Sequence, residues 1–266
     1  MPIILALIAP IRKEQPRYGI KKLYLDIEDD LRAKSIKMGR DAFYKFARAN
    51  NLLVPKSKLY HVTTNSNHGF HKSKDLLAGL ELTRAEQVTG NDITYMKLAT
   101  GHAYLALTTD LYSKRVLGYK IDTNMRVQLV IDSMEMAQKN RLYPERKMIT
   151  HSDRGIQYCC PAYTDLAKKH GLLLSTTQNS SPYENAVAER INGILKYEFG
   201  LNRIIPDLKT AEKMVKQAIE IYNNKRRHCS LGMKTPAYAH QHEVHKYKSY
   251  KKEKKEKETE KETEKG

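Results

Sequence analysis

The chain has 266 residues and a formal net charge of +17 (pI ≈ 9.6), so one sizeable core and a smaller module are expected, with a polyanion as the partner that such an excess of Lys and Arg suits. Cys159, Cys160 and Cys229 exclude a disulfide framework and lack zinc-ligand spacing, which fits a reducing compartment. The apolar run 3–8 is far too short to cross a bilayer and has no basic residues before it, so it reads as the start of a packed helix in a soluble, cytoplasmic protein.

Ile20, Leu23, Tyr24, Ile27 and Leu31 recur at helical spacing and leave Lys21 and Lys22 off the apolar face. After a break at Met38-Gly39, Asp41 is expected to cap a second helix that turns Phe43, Phe46 and Ala47 inward and Arg40, Lys45, Arg48 and Asn50 outward. Residues 1–58 thus read as a helical, helix-turn-helix-like DNA-binding domain, or equally as a small bundle whose cations only solvate it. Residues 59–87 are polar and basic and read as a linker, in which His61, His68 and His71 have no Cys partner for a metal site.

From residue 88 the period changes. Residues 88–96, 102–110 and 115–121 form an expected three-stranded meander, followed by a helix over 127–137, a strand over 147–150, a helix over 161–169, a strand over 172–176 and a helix over 185–199. Ala211 to Tyr222 marks another amphipathic helix, leading into YNNKRRHCSLGMKTP, where Lys225, Arg226, Arg227 and His228 are candidate phosphate contacts. The core is bounded at 88–240, and 241–266 is a charged tail whose residues 246–266 hold nine Lys and six Glu.

Three acids stand on separate elements of this core: Asp92 in NDITYM, Asp153 in HSDRGIQY and Glu189 in ENAVAERINGILK. Singly, each has a plain reading as a strand-edge residue, a turn residue in Ser152-Asp153-Arg154-Gly155 and a solvated helix residue. Jointly they match what divalent-metal chemistry on phosphodiesters requires, because Mg²⁺ takes oxygen ligands and a metal pair can hold both the attacking and the leaving oxygen. At about 100° per residue, Val187, Ile191, Ile194 and Leu195 share one side of the last core helix, while Glu189, Asn192, Gly193 and Lys196 gather opposite. The acid therefore turns away from the apolar side, with Lys196, Arg190 and Asn192 as candidate DNA contacts. Asp110 is assigned to structure and His151 to packing.

HSDRGIQY, Glu189 within its helix, and YNNKRRHCSLGMKTP together resemble the integrase-type transposases of bacterial insertion sequences, relatives of retroviral integrases with an Asp, Asp, Glu triad; the 35 residues between Asp153 and Glu189 are the family's spacing. The resemblance implies an α/β, ribonuclease H-like integrase core, a mixed five-stranded sheet flanked by helices, behind an N-terminal helix-turn-helix-like domain to which RYGIKKLY is similar. It implies that Asp92 bridges two Mg²⁺ ions, with Mn²⁺ as substitute, while Asp153 and Glu189 hold one each; an activated water then cuts at the element end, and the freed 3′-OH attacks a second strand. The implied partners are terminal repeat DNA, target DNA, further copies of the chain on DNA, and a fused or separate upstream-frame polypeptide, in a nucleoid-associated protein with no membrane contact. The zinc-binding His/His/Cys/Cys module of retroviral integrases is absent. Family members commonly carry Trp shortly before the first acid, in a run like WVTDITY, whereas this chain has Val88-Thr89-Gly90-Asn91-Asp92 and no Trp. Gly90 is thus expected to loosen the strand beneath Asp92, which makes a catalytically decayed transposase that only binds DNA the alternative. A ribonuclease with the same core is a third reading.

Overall fold

The computed structural model describes residues 2–54, 69–177 and 186–243. Three helices, α1 (Pro2–Glu14), α2 (Ile20–Ala33) and α3 (Arg40–Ala49), close on a cluster of their own that includes Ile8, Tyr18, Leu23, Ile27 and Phe43. The apolar stripe of α2 follows the sequence spacing with one exception: Lys22 is buried, its Nζ 4.7 Å from the Tyr18 ring centroid and 3.9 Å from Glu198 Oε2. Asp41 does not cap α3. Gly39 occupies the N-cap, so Asp41 stands inside the first turn, where it pairs with Arg40 (Nε–Oδ1 2.9 Å) and favours the helix only through its charge.

Five strands form the core, β1 (Val88–Leu98), β2 (Gly101–Asp110), β3 (Val116–Asp122), β4 (Ile149–Ser152) and β5 (Leu173–Thr176), in the order β3-β2-β1-β4-β5. The first three pair antiparallel, and β4 and β5 add in parallel. One face carries α4 (Val127–Lys139), the one-turn α5 (Ile156–Cys159) and α6 (Pro161–Lys169); the other carries α7 (Ala186–Glu198) and α8 (Leu208–Asn224). The alternation along β2 serves both faces: Leu105 and Leu107 join Ile191, Leu195 and Val215, whereas Ala106 joins Val130, Met134 and Tyr163. This is the ribonuclease H-like order.

Gly90 does not interrupt β1. It is paired on both sides, opposite Thr109 and His151, and is buried. Next to it Asn91 Nδ2 donates to Thr150 Oγ1 (2.8 Å) and to the His151 carbonyl (2.9 Å), tying β1 to β4 with side-chain bonds where a bulky aromatic is lacking. His151 is itself fully buried, its Nδ1 2.9 Å from Ser175 Oγ.

The core begins before residue 88. Glu86 is fully buried at φ 56°, accepts from Arg141 Nε (2.8 Å) and the Leu142 amide (2.6 Å), and lies 3.1 Å from His240 Nε2. Although burial pushes its carboxyl up, the bonds from His240, Arg141 and Leu142 outweigh it and hold the group down at about 2. His240 belongs to α9 (Pro236–His242), which starts at Thr235, whose Oγ1 accepts from the Tyr238 amide (3.2 Å). Asp110 completes this network by accepting from the Glu86 and Ser113 amides (2.9 and 2.8 Å), a structural role. Residues 55–68, with His61 and His68, and 244–266, with the charged tail, lie outside the described residues. Among the described residues no helix is long and apolar enough to cross a membrane.

The turn after α8 carries a different load from the phosphate contact expected of Arg226 and Arg227. Arg226 is buried and grips Glu198 at the end of α7 through two bonds of 2.7 Å; Arg227 bonds to Asp26 on α2, and its amide donates to Tyr18 Oη (3.3 Å). Lys225 Nζ reaches Glu14 on α1 at 2.6 Å, while burial and the nearby Arg226 charge push the His228 pKa down to about 3, leaving it neutral. Acids on facing elements thus turn this basic cluster into the dock between the helical module and the core. Arg226→Ala is expected to cost about 2 kcal/mol in urea unfolding, less than a fully buried pair because Glu198 keeps partial solvent access, and Arg226→Lys should not restore the fork.

Candidate active site

The strand order brings the acids together. β1 and β4 run parallel with Asn91 opposite Ser152, so the next residues, Asp92 in the middle of β1 and Asp153 just past the end of β4, stand side by side where the β4 ladder stops. Asp92 Oδ1 accepts from the Ile93 amide (3.0 Å), and its Oδ2 accepts from Asn192 Nδ2 on α7 (2.6 Å). Asn192 is one helical turn beyond Glu189, so that bond turns the Glu189 face of α7 toward Asp92. Asp153 Oδ1 accepts from the Gly155 amide (2.9 Å), an Asx turn that ends β4. Glu189 is exposed.

Burial, then the Asp153 charge and more weakly that of Glu189, push the Asp92 carboxyl up to about 7 against the opposing bonds from Asn192 and Ile93. Among the described residues no Lys or Arg forms an ion pair with Asp92, and no three acid, His or Cys side chains already surround a single point closely enough to hold an ion. Two carboxylates side by side, with Glu189 on the α7 face that Asn192 holds against Asp92, nevertheless offer hard oxygen donors. Mg²⁺ usually takes one or two carboxylates and completes its shell with water, so these residues fit the ion without enclosing it.

The sign of the pH effect follows. Between about 4 and 7 the folded, metal-free chain holds a proton on Asp92 that the unfolded chain releases, so this group makes stability fall as pH rises through that window. Asp92→Asn is expected to raise the metal-free melting temperature at pH 7.5 by about 5 °C, and Mn²⁺ should then stabilise only the wild type. A variant that melts below wild type without metal would contradict this electrostatic picture.

Lys196 lies half-buried on the same face of α7 with its Nζ 4.4 Å from the Tyr95 ring centroid, its pKa lowered by burial and partly restored by Asp92. Arg190 is exposed. On α3, Arg40, Lys45 and Arg48 are exposed, and Arg48 lies 5.5 Å over the exposed Tyr44 ring. The role of Asn192 in holding Asp92 was not legible as such, because a helix-face argument gives direction but no partner 100 positions away.

Two models described as integrase core domain match residues 83–182 and 170–236. The 31 kDa protein of insertion element IS600 from Shigella sonnei is 31% identical over 86% of this chain and 83% of its own length. Transposase InsF for insertion sequence IS3A of Escherichia coli (strain K12) is 30% identical over 86% of this chain and 78% of its own. The chain belongs to the insertion-sequence transposases of the integrase superfamily. A chain of the simian T-cell lymphotropic virus intasome in complex with PP2A regulatory subunit B56 gamma shares the fold at TM-score 0.50 and 19% identity, over 66% of this transposase and 60% of that chain.

Proposed function

We propose that this transposase cuts and joins DNA at the ends of an insertion sequence, with Asp92, Asp153 and Glu189 as the catalytic acids holding two Mg²⁺ ions. The observation that carries the reading is the crowding at Asp92, where burial and the charges of Asp153 and Glu189 act together on one carboxyl. Bound there, divalent ions supply an activated water and neutralise charge on the phosphodiester. Asn192 orients Asp92, the Asx turn at Gly155 orients Asp153, and Lys196, held over Tyr95, is aligned to meet a phosphate. Arg190 extends this DNA-facing surface. Residues 1–58 act as the DNA-binding domain through Arg40, Lys45, Arg48 and Tyr44 on α3, ahead of a catalytic core that takes in Glu86 and runs to α9.

The partners in this reading are terminal repeat DNA, target DNA, other copies of the chain and an upstream-frame polypeptide, at the nucleoid in the cytoplasm. The test incubates the purified chain with Mg²⁺ and a duplex carrying the element's own end. Nicking that exposes a 3′-OH, followed by joining to a second duplex, supports it. DNA binding without nicking, in Mg²⁺ or Mn²⁺ and with the upstream polypeptide supplied, would instead favour a chain that only binds DNA.

A further inference from the structure

The last acid of the Glu189 helix is out of place for that helix alone. Glu198 closes α7, where a carboxylate opposes the negative end of the helix dipole. Its partners come from outside the helix. Arg226 grips it through two bonds of 2.7 Å, and Lys22 of α2 brings a second cation to 3.9 Å. Lys22 is only 7% exposed, so it gives up water to stand beside a carboxylate that already has an arginine. Fold stability alone would favour an apolar side chain at this position.

The contact continues along α2 and into the module. Asp26, one turn beyond Lys22, bonds to the Arg227 guanidinium, and Tyr18 Oη accepts from the Arg227 amide (3.3 Å). One side of the helical module therefore holds the turn after α8, and Lys22 and that turn together hold the end of α7. Inside the module, α2 is joined to α3 by the Tyr24 and Phe43 rings, 5.6 Å apart, and by Tyr24 Oη donating to the Met38 carbonyl (3.3 Å). Inside α7, one unbroken helix runs back from Glu198 through Asn192 to Glu189. Nine residues separate the two glutamates, about 14 Å along the axis, so a tilt of about 4° about the Glu198 end moves Glu189 by about 1 Å. A misplacement of about 1 Å is enough to slow a reaction about a hundredfold.

We propose that the helical module is a positioning element of the reaction: docked through Asp26–Arg227 and Lys22–Glu198, it holds α7 at the tilt that presents Glu189 and Asn192 to Asp92. The proposal rests on the DNA-cutting reading above. Its effect falls on the rate once DNA is bound, not on the affinity for DNA.

The experiment is a charge-reversal cycle on the full chain: wild type, Asp26→Arg, Arg227→Asp and the two combined. It reads the cleavage rate of element-end DNA at saturating DNA, the DNA concentration that gives half that rate, and hydrogen exchange of the α7 amides without DNA. Each single reversal sets like charges face to face; it should speed exchange in α7 and lower the saturated rate about tenfold or more, with the half-saturating concentration within about threefold of wild type. The double reversal restores the pair and should recover the rate to within about threefold. The two reversals change the net charge in opposite senses, so a loss shared by both cannot come from altered attraction to DNA. Where a reversal fails to fold, Asp26→Asn replaces it and should slow cleavage about threefold. Single variants with the wild-type rate would overturn the proposal while leaving the DNA-cutting reading standing. So would a loss that the double reversal does not recover, or one with α7 exchange unchanged. A wild type that cuts no DNA would overturn that reading, and the proposal with it.

Discussion

Asp153→Asn is expected to lower Mg²⁺-dependent cleavage and joining of element-end DNA by about a thousandfold or more while leaving the fold intact. The two effects separate because they depend on different properties of one side chain. Asn keeps the shape of Asp and an Oδ1 that accepts from the Gly155 amide, so the turn closing β4 survives. The charge does not. Without it the site loses an anionic ligand, and Asp92, relieved of its nearest repulsive neighbour, is expected to titrate closer to the ordinary carboxylate range. Metal-free stability should therefore hold or rise slightly in urea unfolding as activity collapses. Activity within tenfold of wild type would remove Asp153 from the metal site and place the catalysis on other residues.

Gly118→Ala is expected to destabilise the core by about 3 kcal/mol or more, enough to reduce soluble yield and shift the urea midpoint strongly. β3 meets α4 at this residue with no room for a side chain: a Cβ would stand 2.0 Å from the Ser133 carbonyl oxygen and 2.6 Å from the Ala137 amide nitrogen. Both are backbone atoms inside a helix, so no rotamer change can relieve the clash and α4 must move off the sheet. α4 also bonds to β2 through Ser133 Oγ and Thr108 Oγ1 (2.9 Å), which such a shift would break. A variant within 1 kcal/mol of wild type would mean that α4 adapts far more freely than this packing allows.

Most of the architecture was legible because it is written in short-range pattern. The β-rich run 102–110 names its element, the helical spacing of Val127, Val130, Ile131 and Met134 names an element and its buried side, and α6 has the expected bounds. What was missed depends on contacts between distant segments. Lys22 looked like a surface cation because nothing local reveals Glu198 and Tyr18 waiting around it. Arg226 and Arg227 formed a basic cluster in sequence, yet their carboxylate partners lie on α7 and α2. Glu86 read as linker because its support comes from Arg141 and His240, at separations of 55 and 154 positions. Gly90 was expected to weaken β1, but the compensation lies across the sheet in the Asn91 bonds to β4.

The acids occupy a middle position. Their residue types and spacing pointed to one site, and the β1–β4 register puts two of them side by side, but their closeness to a shared ion depends on side-chain settings that only a loaded site fixes. Anomalous diffraction from crystals soaked in Mn²⁺ at pH 8 tests this most directly. The expected result is a Mn²⁺ peak between the Asp92 and Asp153 carboxylates, lost in crystals of Asp92→Asn. Anomalous density absent from that position while present elsewhere on the chain would contradict the three-acid metal site.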